Sequence, residues 1–473
     1  MKLEQVGFNR YRLPRQGKMR VSGLVYASPA LLEHVRGDNS LQQLAHAAQL
    51  PGVVEPVLGM PDIHEGFGLP IGGVMAVSEE GVISAGAVGM DINCGVRLLR
   101  TELSADSFDR PLLRKLMTEV EALVPTGVGK KGLHRGITAR IFEEVVYQGA
   151  TAVVKAGFGC PEDIERIEEN GCLPGADLAE VSREAIKRGS EQLGTLGGGN
   201  HFIELQRVDK VFDPEVAERF GLFEGQLTVM IHTGSRGFGH QICTDYSKGH
   251  IPAAPRYGIE LPSKGLACAP IDSAEGRSYY AAMACAVNYA FANRQIITAD
   301  IRQAFVQVLG LRLEDIGLQV VYDVAHNIAK WEEHGGRRLL VHRKGATRAL
   351  PPGHPANPPV YRGTGHPALV PGSMGTASYV LVGTDLAAES FFSVNHGAGR
   401  TLSRSAAERS ITKEEFEASM GEILYNTRNF RDVVDEAPQA YKDIEEVVDT
   451  LVEIGLTRKI ARMMPMAVIK GKD

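Results

Sequence analysis

Residues Gly194–Leu205 read GTLGGGNHFIEL, and the rest of the chain is organised around this stretch. Three consecutive glycines precede Asn200, His201 and Glu204, so a backbone that can approach a ligand closely is followed at once by a ring nitrogen and two polar side chains. A glycine has no Cβ and can take a positive φ, which lets successive N–H groups turn toward an anion. By itself the stretch is more typical of a glycine-rich turn beside a buried, hydrogen-bonded histidine.

Strand-like runs that lead into a loop with a cysteine or a histidine recur along the chain. They are Gly81–Arg97 with Cys94, Leu227–His232, Val320–His326, and Phe391–Arg404 with His396. Loops that project from one end of a sheet are where binding sites are commonly built. We therefore expect five donors to form a site for one or two divalent ions: Asp91, Cys94, His201, His232 and His326. A thiolate can bridge two ions, and this donor set favours zinc, iron or cobalt over manganese.

Several of these residues also have a plainer interpretation. Asp91 and Cys94, three positions apart, could converge on one ion, but taken singly each is more often a turn aspartate or a buried structural cysteine. Asp62 lies where a strand-like run is interrupted, and it could act as a general base, as a ligand or only as the cap of a turn. His396 lies in HGAGR, which suits a polyphosphate, and its imidazole could be a nucleophile on phosphorus or could only hydrogen-bond within the turn.

The composition bounds the class of protein. The 473 residues are 44% hydrophobic and 23% charged, which is ordinary for a globular protein and excludes disordered and fibrous classes. The net charge of −6 does not favour a protein that coats nucleic acid, so any RNA contact needs a local basic patch. Six scattered cysteines without a CxxC pair indicate neither a disulfide framework nor a zinc ribbon. No signal peptide or membrane-spanning run is recognisable, so we expect a cytoplasmic protein that has no membrane partner.

Helical spacing of apolar residues predicts most of the scaffold. The predicted helices are Ser28–Leu50, two helices with a break within 105–150, Leu178–Leu193, Ser273–Leu309, Tyr441–Ile454 and most of the chain after residue 404. Strands interrupted by Pro and Gly are predicted over Val53–Ser78, and a glycine-rich turn over Thr233–His240. The GxGxxG of Gly127–Gly132 follows a helical run instead of a strand, so we reject it as a dinucleotide fingerprint.

The most basic window is Arg337–Arg348, RRLLVHRKGATR. It is either a solvated charged hairpin or a phosphate-binding surface around Lys344 and its flanking arginines. A nucleotide, if one is used, is bound without a GxxxxGK[ST] loop, and the KxDG motif of lysine-nucleophile nucleotidyltransferases is absent from the sequence.

Taken together, the motifs resemble the RtcB family of tRNA-splicing and RNA-repair ligases. The matching segments occur in order along nearly the whole chain: MPDIHEGFGLPIGG, GMDINCGVR, GTLGGGNHFIE, HTGSRGFGH, DVAHN, HRKGATRA, PGSMGTAS, NHGAGR and a near-terminal lysine. The resemblance implies one catalytic domain over residues 1–473, with a mixed α/β (α+β) fold of central mixed sheets flanked by helices. Such a fold is not a Rossmann sheet, and its metal site lies at the loop ends of strands.

The resemblance also implies a reaction. RNA ends that carry a 2′,3′-cyclic phosphate or a 3′-phosphate would be joined to 5′-hydroxyl ends, with GTP and two Mn²⁺ ions as cofactors. His396 would take GMP from GTP as a phosphoramidate and pass it to the RNA 3′-phosphate, giving RNA-3′-pp-5′-G. The 5′-hydroxyl, which Asp62 would help to deprotonate, would then displace GMP. An archease-type protein is a possible activator.

By the same resemblance, Cys94 would bridge the two ions that the five donors hold. Asn200 and Arg400 would contact phosphates, and Glu204 and Lys470 would contact the guanine edge. The residues that would bind GTP are Asn200, Glu204, Ser373, Ser378, Gly397, Ala398, Gly399, Arg400, Tyr441 and Lys470. The residues that would bind RNA phosphate are Arg188, Lys344 and Arg404.

Two alternatives remain open. A metal-dependent phosphoesterase would use the same five donors to activate water without GTP, but it would give His396, Glu204 and Lys470 no joint task. A non-catalytic RNA-binding protein is poorly supported by the acidic net charge and by the lack of interleaved aromatic and basic residues.

Overall fold

The computed structural model describes residues 1–427 and 429–471. Arg428 and the last two residues of the predicted closing segment Arg462–Asp473 therefore lie outside the described residues. The fold is mixed α+β, as expected, and it is not a Rossmann sheet, because neighbouring strands are antiparallel except for two pairs. In the described parts of the chain, no helix is both long and apolar enough to cross a membrane.

Two large sheets form the centre of the fold. The strands are β1 Glu4–Gly7, β2 Arg10–Leu13, β3 Gly23–Tyr26, β4 Val57–His64, β5 Ile71–Val77, β6 Val82–Ser84, β7 Gly95–Ser104, β8 Phe202–Val211, β9 Gln226–Thr233, β10 Cys268–Pro270, β11 Gln319–Ala325, β12 Asn327–His334, β13 Arg337–Lys344, β14 Ala346–Arg348, β15 Ala368–Val370, β16 Ser378–Gly383, β17 Ser393–Asn395, β18 Leu424–Tyr425 and β19 Thr457–Lys470. One sheet has the order β1-β2-β3-β4-β5-β13-β12 and the other the order β11-β7-β9-β8-β19-β16-β15, with β18 beside β19. The pairs β6–β10 and β14–β17 are small ribbons.

Helices surround and connect the sheets. They are α1 Pro29–Gly37, α2 Ser40–Ala47, α3 Ala85–Val88, α4 Arg110–Leu123, α5 Arg135–Thr138, α6 Phe142–Gln148, α7 Ala150–Lys155, α8 Pro161–Ile164, α9 Arg183–Gln192, α10 Pro214–Phe220, α11 Arg236–Ala253, α12 Ala274–Leu309, α13 Leu313–Ile316, α14 Arg404–Ser410, α15 Lys413–Met420 and α16 Ile444–Ile454. Short 3₁₀ turns join them at Ala105–Ser107, Glu168–Gly171, Leu178–Glu180, Ala254–Tyr257, Lys264–Leu266, Pro359–Tyr361, Asp385–Ser390, Phe430–Asp432, Val434–Glu436 and Pro438–Ala440.

The 36-residue helix α12 is the internal support of the site. Ser273 caps its first turn by accepting a hydrogen bond from the backbone N–H of Gly276, and Gly310 ends it in the left-handed conformation. The middle of the helix is buried all round, as expected of a helix in the core of a large protein. Its buried polar residues therefore need partners inside the protein, and two of them, Asn293 and Arg294, bind the loops of the site.

Antiparallel register brings the predicted site residues together. Gly95, which begins β7, pairs with Thr233 near the end of β9 and with Ala325 at the end of β11. Phe202, which begins β8, pairs with His232. On one side of the sheet, the starts of β7 and β8 therefore alternate with the ends of β11 and β9, because neighbouring strands run in opposite directions.

This register corrects one sequence-based expectation. Cys94 was predicted to follow a strand, but it immediately precedes β7, and His201 likewise precedes β8. His326 and His396 do follow strands, β11 and β17, and His232 lies within the last residues of β9. The site is therefore built from both ends of antiparallel strands.

Two other segments differ from their predictions. Helix α11 begins at Arg236, inside the predicted glycine-rich turn of Thr233–His240, where Gly239 leaves room for the side chain of Ser235, the N-cap residue of this helix. The chain after residue 404 is not helical to its end: β19 inserts between β8 and β16, and pairing on both sides favours a strand there. The other helical predictions are confirmed in place by α1, α2, α4, α6, α9, α12 and α16.

Candidate active site

A cavity of about 380 Å³ lies where the two large sheets approach each other. It is lined by many of the residues singled out from the sequence: Asp91, Cys94, Asn200, His232, His326, Lys344, Ser373, His396, Gly397, Ala398, Gly399, Arg400, Arg404, Tyr441 and Lys470. The remaining predicted site residues do not line it directly: Asp62, Arg188, His201, Glu204 and Ser378.

Five side chains with donor atoms lie close together at this cavity, four of them in its lining and His201 behind it. The Sγ atom of Cys94 lies 3.2 Å from Nε2 of His232 and 3.5 Å from Nε2 of His201. The Nε2 atom of His326 is 3.3 Å from that of His232, and Oδ2 of Asp91 is 2.8 Å from Nε2 of His201. Two groups of three result, with Cys94 in both. This sharing is the arrangement expected of a thiolate that bridges two ions.

The histidine tautomers suit metal binding. His232 donates its Nδ1 proton to the carbonyl of Asn200 at 3.1 Å, and Nδ1 of His201 lies 3.0 Å from the carbonyl of Leu196. The ring of His232 therefore presents an Nε2 lone pair to the cluster, and Nε2 of His201 faces the carboxylate of Asp91 at 2.8 Å. Burial lowers the pKa of His232 and of His326 well below its usual value, so both rings are neutral. The residues present thus fit a pair of divalent cations.

The two acidic donors have opposite pKa shifts. Burial alone would raise the pKa of Asp91, but the hydrogen bond and charge of His201 outweigh it and lower the pKa to about 2. Burial, followed by the charge of Asp91, raises the pKa of Cys94 well above its usual value. Without a cation the thiol is therefore protonated, and a bound cation would have to displace that proton.

Arg294 on α12 fixes three of the loops that carry these donors. Its guanidinium donates to the carbonyl of Asn93 at 2.9 Å and to that of Thr233 at 2.8 Å, next to Cys94 and His232. It also forms a buried ion pair with Asp323, three residues before His326. Arg97 shares the same carboxylate at 2.7 Å. The hydrogen bonds and ion pairs of Arg294, Arg97 and Asp323 therefore hold the donor positions, and all three of these side chains are buried.

His396 is held by Asp62 from the adjacent strand β4. The Oδ2 atom of Asp62 accepts hydrogen bonds from Nδ1 of His396 at 2.6 Å, from its backbone N–H at 3.0 Å and from the backbone N–H of Gly397 at 3.3 Å. Gly399, with a φ of 76°, approaches the backbone of Asp62 so closely that a Cβ would lie 2.3 Å from its carbonyl oxygen. The ring of His396 then meets that of His326 edge-on, with centroids 4.9 Å apart.

Comparison with known proteins agrees with this geometry. The profile of the family described as "tRNA-splicing ligase RtcB" matches residues 43–471. The chain belongs to the RtcB family. It is 47% identical to the tRNA-splicing ligase RtcB of Archaeoglobus fulgidus over 99% of both chains, and 47% identical to that of Thermococcus kodakarensis over 99% of both. It is 46% identical to the RNA-splicing ligase RtcB of Mycobacterium tuberculosis over 91% of this chain and 100% of the relative.

In this RtcB-family chain, a second polar cluster lines the same cavity as the candidate metal donors. Its centre is the buried carboxylate of Glu436, which accepts from Nζ of Lys470 at 3.1 Å, from the hydroxyl of Tyr441 at 2.5 Å and from Arg400 at 3.1 Å. The guanidinium of Arg400 lies over the ring of Tyr441, 5.0 Å from its centroid. Glu436 could not be identified from the sequence, because nothing in the surrounding VVDEAPQA distinguishes it from a surface acid.

Glu204 and Ser378 lie just behind the cavity wall. Gln206 bridges them, because its Nε2 donates to Oε2 of Glu204 at 2.8 Å and to the hydroxyl of Ser378 at 3.1 Å. Burial raises the pKa of Glu204 to about 8, because the hydrogen bond from Gln206 and the charge of Lys470, which lower the pKa, only partly offset the effect of burial. Ser373, which does line the cavity, is hydrogen-bonded to Thr376 at 2.9 Å.

The predicted RNA-binding residues have different surroundings. Arg404 is 46% exposed and lies 3.7 Å from Asp435 and 3.9 Å from Glu436. Arg188 lies outside the cavity on α9 and donates to Gln241. Lys344 is buried at the cavity wall, where Nζ donates to the carbonyls of Phe67 and Gly86, and burial lowers its pKa to about 8.

The basic window Arg337–Arg348 matches neither prediction completely. Its first residues are exposed, but Arg343 and Arg348, which flank Lys344, are buried in ion pairs with Glu332 and Glu169. These arginines hold strands together and do not form an open phosphate-binding surface. Glu332 lies on the neighbouring strand β12 and Glu169 lies 179 positions from Arg348, so the pairings depend on strand register and on a distant segment.

Three further residues of the site were missed from the sequence. Arg294 and Lys442 are buried basic residues, and Lys442 donates to the carbonyls of Pro61 and Ile63 on either side of Asp62. His64 lines the cavity two residues after Asp62. The segment PDIHEG offered a signal for His64, whereas a single Arg or Lys in a helical or polar run offers none.

Proposed function

We propose that this RtcB-family chain is a GTP- and Mn²⁺-dependent RNA ligase that joins 2′,3′-cyclic phosphate or 3′-phosphate ends to 5′-hydroxyl ends. The observation that carries the proposal is the geometry of His396. Its Nδ1 proton is held by Asp62, so Nε2 keeps its lone pair inside a cavity that also contains the metal donors. A phosphoesterase that only activates water would give His396, Glu204 and Lys470 no joint task.

The chemistry follows from this tautomer. Nε2 of His396 would attack the α-phosphorus of GTP, forming an N–P bond as the bond to the bridging oxygen breaks and pyrophosphate leaves. The ring would then carry a positive charge, which the Asp62 carboxylate at 2.6 Å stabilises. An oxygen of the RNA 3′-phosphate would next attack the same phosphorus and release His396, leaving RNA-3′-pp-5′-G. Attack by the 5′-hydroxyl on the RNA phosphorus would release GMP.

The metal site supports the same proposal. Asp91, Cys94, His201, His232 and His326 would hold two Mn²⁺ ions, with Cys94 between them. When bound, the ions would neutralise phosphate charge and lower the pKa of a hydroxyl or water, as opening of a cyclic phosphate also requires. Soft donors alone would favour zinc, so the identity of the ions rests on the family resemblance.

The Glu436 cluster is the proposed guanine and phosphate side of the cavity. Tyr441 offers a ring face for the base, and Lys470 and Glu204 offer a donor and an acceptor for its edge. Asn200, Arg400 and the backbone N–H groups of 397–399 would contact phosphates. Since these residues come from segments between Asp62 and Lys470, we also propose that residues 1–473 act as one catalytic domain.

The test is the intact mass of the protein after incubation with GTP and Mn²⁺, beside the variant His396→Ala. A GMP-sized adduct on the parent that is absent from the variant supports the proposal. Absence of an adduct from metal-loaded parent protein, together with hydrolysis of a 2′,3′-cyclic phosphate without GTP, contradicts it and favours the phosphoesterase.

A further inference from the structure

His64 occupies a part of the cavity to which the proposed reaction has so far assigned no group. It ends β4, two residues after Asp62, and lines the same cavity as His396. Its Nδ1 atom donates to the carbonyl of Asp62 at 2.9 Å. The proton is therefore on Nδ1, and Nε2 carries the lone pair.

The Nε2 atom of His64 is available. Within residues 1–427 and 429–471, no protein group forms a hydrogen bond with it. Burial lowers the pKa of His64 to about 4, so the ring is neutral near pH 7. A neutral imidazole with one nitrogen anchored to the backbone can only accept a proton at the other nitrogen.

Asp62 cannot perform this task itself. Its Oδ2 atom already accepts three hydrogen bonds from the segment of His396 and Gly397, and its Oδ1 atom is buried away from the cavity surface. The deprotonation of the 5′-hydroxyl that sequence analysis assigned to Asp62 therefore needs another group.

The carboxylates and lysines that line the cavity are occupied. Glu436 accepts from Lys470, Tyr441 and Arg400, and Asp91 accepts from His201. Lys344 is a donor that is bound to two carbonyls. His64 thus combines a free acceptor atom with a place beside the Asp62–His396 pair, and unlike His396 it takes no part in the transfer of the guanylate.

We propose that His64 is the catalytic base of the final sealing step. This inference rests on the proposed ligase function. As the 5′-oxygen of one RNA bonds to the 3′-phosphorus of the other, its proton passes to Nε2 of His64. The bond between that phosphorus and the oxygen bridging to GMP breaks, and GMP leaves with the electron pair. His64 returns the proton to solvent when the joined RNA departs.

The experiment isolates this step with preformed RNA-3′-pp-5′-G and a 5′-hydroxyl RNA in single turnover. The variant His64→Asn keeps an amide donor for the Asp62 carbonyl but has no acceptor at the position of Nε2. We expect sealing to slow by about 100-fold or more, the usual effect of losing a general base. Guanylylation of His396, measured by mass on the same sample, should proceed as in the parent.

Two further measurements keep the result interpretable. An RNA with a 5′-thiol needs no base to ionise, so the loss in the variant should largely disappear with it. His64→Ala should regain sealing with added imidazole, and His46→Asn, which changes a histidine outside the cavity that contacts Gln42, should behave as the parent.

Three outcomes overturn the inference. They are unchanged sealing by His64→Asn, an equal loss on the thiol substrate, and a parallel loss of guanylylation, which would make His64 a support for Asp62. Failure of the parent protein to form any guanylate would instead contradict the proposed function.

Discussion

Nδ1 of His396 lies 2.6 Å from Oδ2 of Asp62, and the same oxygen also accepts the backbone N–H groups of His396 and Gly397. One carboxylate oxygen thus orients the ring, fixes its tautomer and holds the loop that carries it. Lys442 donates hydrogen bonds to the backbone carbonyls on both sides of Asp62. The reactivity of His396 therefore depends on a carboxylate that does not itself reach the cavity.

Replacing Asp62 with Asn should slow guanylylation of His396 by about 100-fold or more while leaving the protein folded. The amide cannot stabilise the charged ring, and it can present its N–H₂ group to Nδ1, which favours the wrong tautomer. The measurement is the rate of GMP adduct formation by intact mass, with circular dichroism as the check of folding.

The matched control for that variant is Glu65→Gln, a neighbouring carboxylate that binds Asn39 at the surface. It should react at the rate of the parent. Guanylylation of Asp62→Asn at an unchanged rate would show that the ion pair is only structural.

Replacing Arg294 with Lys should weaken Mn²⁺ binding by about 10- to 100-fold, the range found when partners that orient metal ligands are removed. A lysine keeps the charge opposite Asp323, but it cannot bind the carbonyls of Asn93 and Thr233 at the same time. Calorimetric titration of metal-free protein with Mn²⁺ measures the effect directly, without relying on activity.

Arg302→Lys is the control for general damage to α12. Arg302 forms a buried pair with Asp163 and touches none of the metal-binding loops. Equal losses of metal affinity in the two variants, or none in Arg294→Lys, would contradict the role assigned to Arg294.

Replacing Arg404 with Gln should weaken RNA binding and reduce the slope of log affinity against log salt concentration by about one. Arg404 is half exposed at the cavity rim, so a phosphate can reach it. Guanylylation should persist. The measurement is RNA binding by anisotropy at several salt concentrations, with Arg256→Gln, remote from the cavity on the surface, as the control. An unchanged salt slope would argue against a phosphate contact.

The candidate metal donors could be predicted from the sequence because their Cys and His residues lie where strand-like runs meet polar or glycine-rich turns. The sequence did not show that Cys94 and His201 immediately precede their strands, because antiparallel register depends on which strands pair, and that is decided by distant residues. Glu436 and Arg294 gave no local signal, since their roles come from partners tens to hundreds of positions away. Strand β19 was missed for the same reason, because its neighbours β8 and β16 supply the pairing that makes it a strand.

Glu204 should make the protein less stable as the pH rises. Its pKa of about 8 in the folded protein exceeds the usual 4.5, so between those values the folded state holds a proton that the unfolded state has lost. Folding then takes up a proton, and the associated stability, complete below about pH 4.5, is lost by about pH 8. Glu204→Gln removes this contribution, so its unfolding free energy should fall less between pH 5.5 and 8 than that of the parent.

The measurement is urea unfolding of the parent and of Glu204→Gln at the same set of pH values, which gives the unfolding free energy of each protein. The unfolding free energies of the parent and of Glu204→Gln should differ by an amount that changes steadily with pH over this window. Glu165→Gln, which changes an exposed acid, should behave as the parent.

Guanine binding would demand the ionised carboxylate of Glu204 as an acceptor. GTP should therefore bind the parent more tightly as the pH approaches 8, whereas Glu204→Gln should lack that dependence. Parallel stability curves for Glu204→Gln and the parent would mean that the carboxyl is ionised in the folded protein, with Lys470 as its counter-ion.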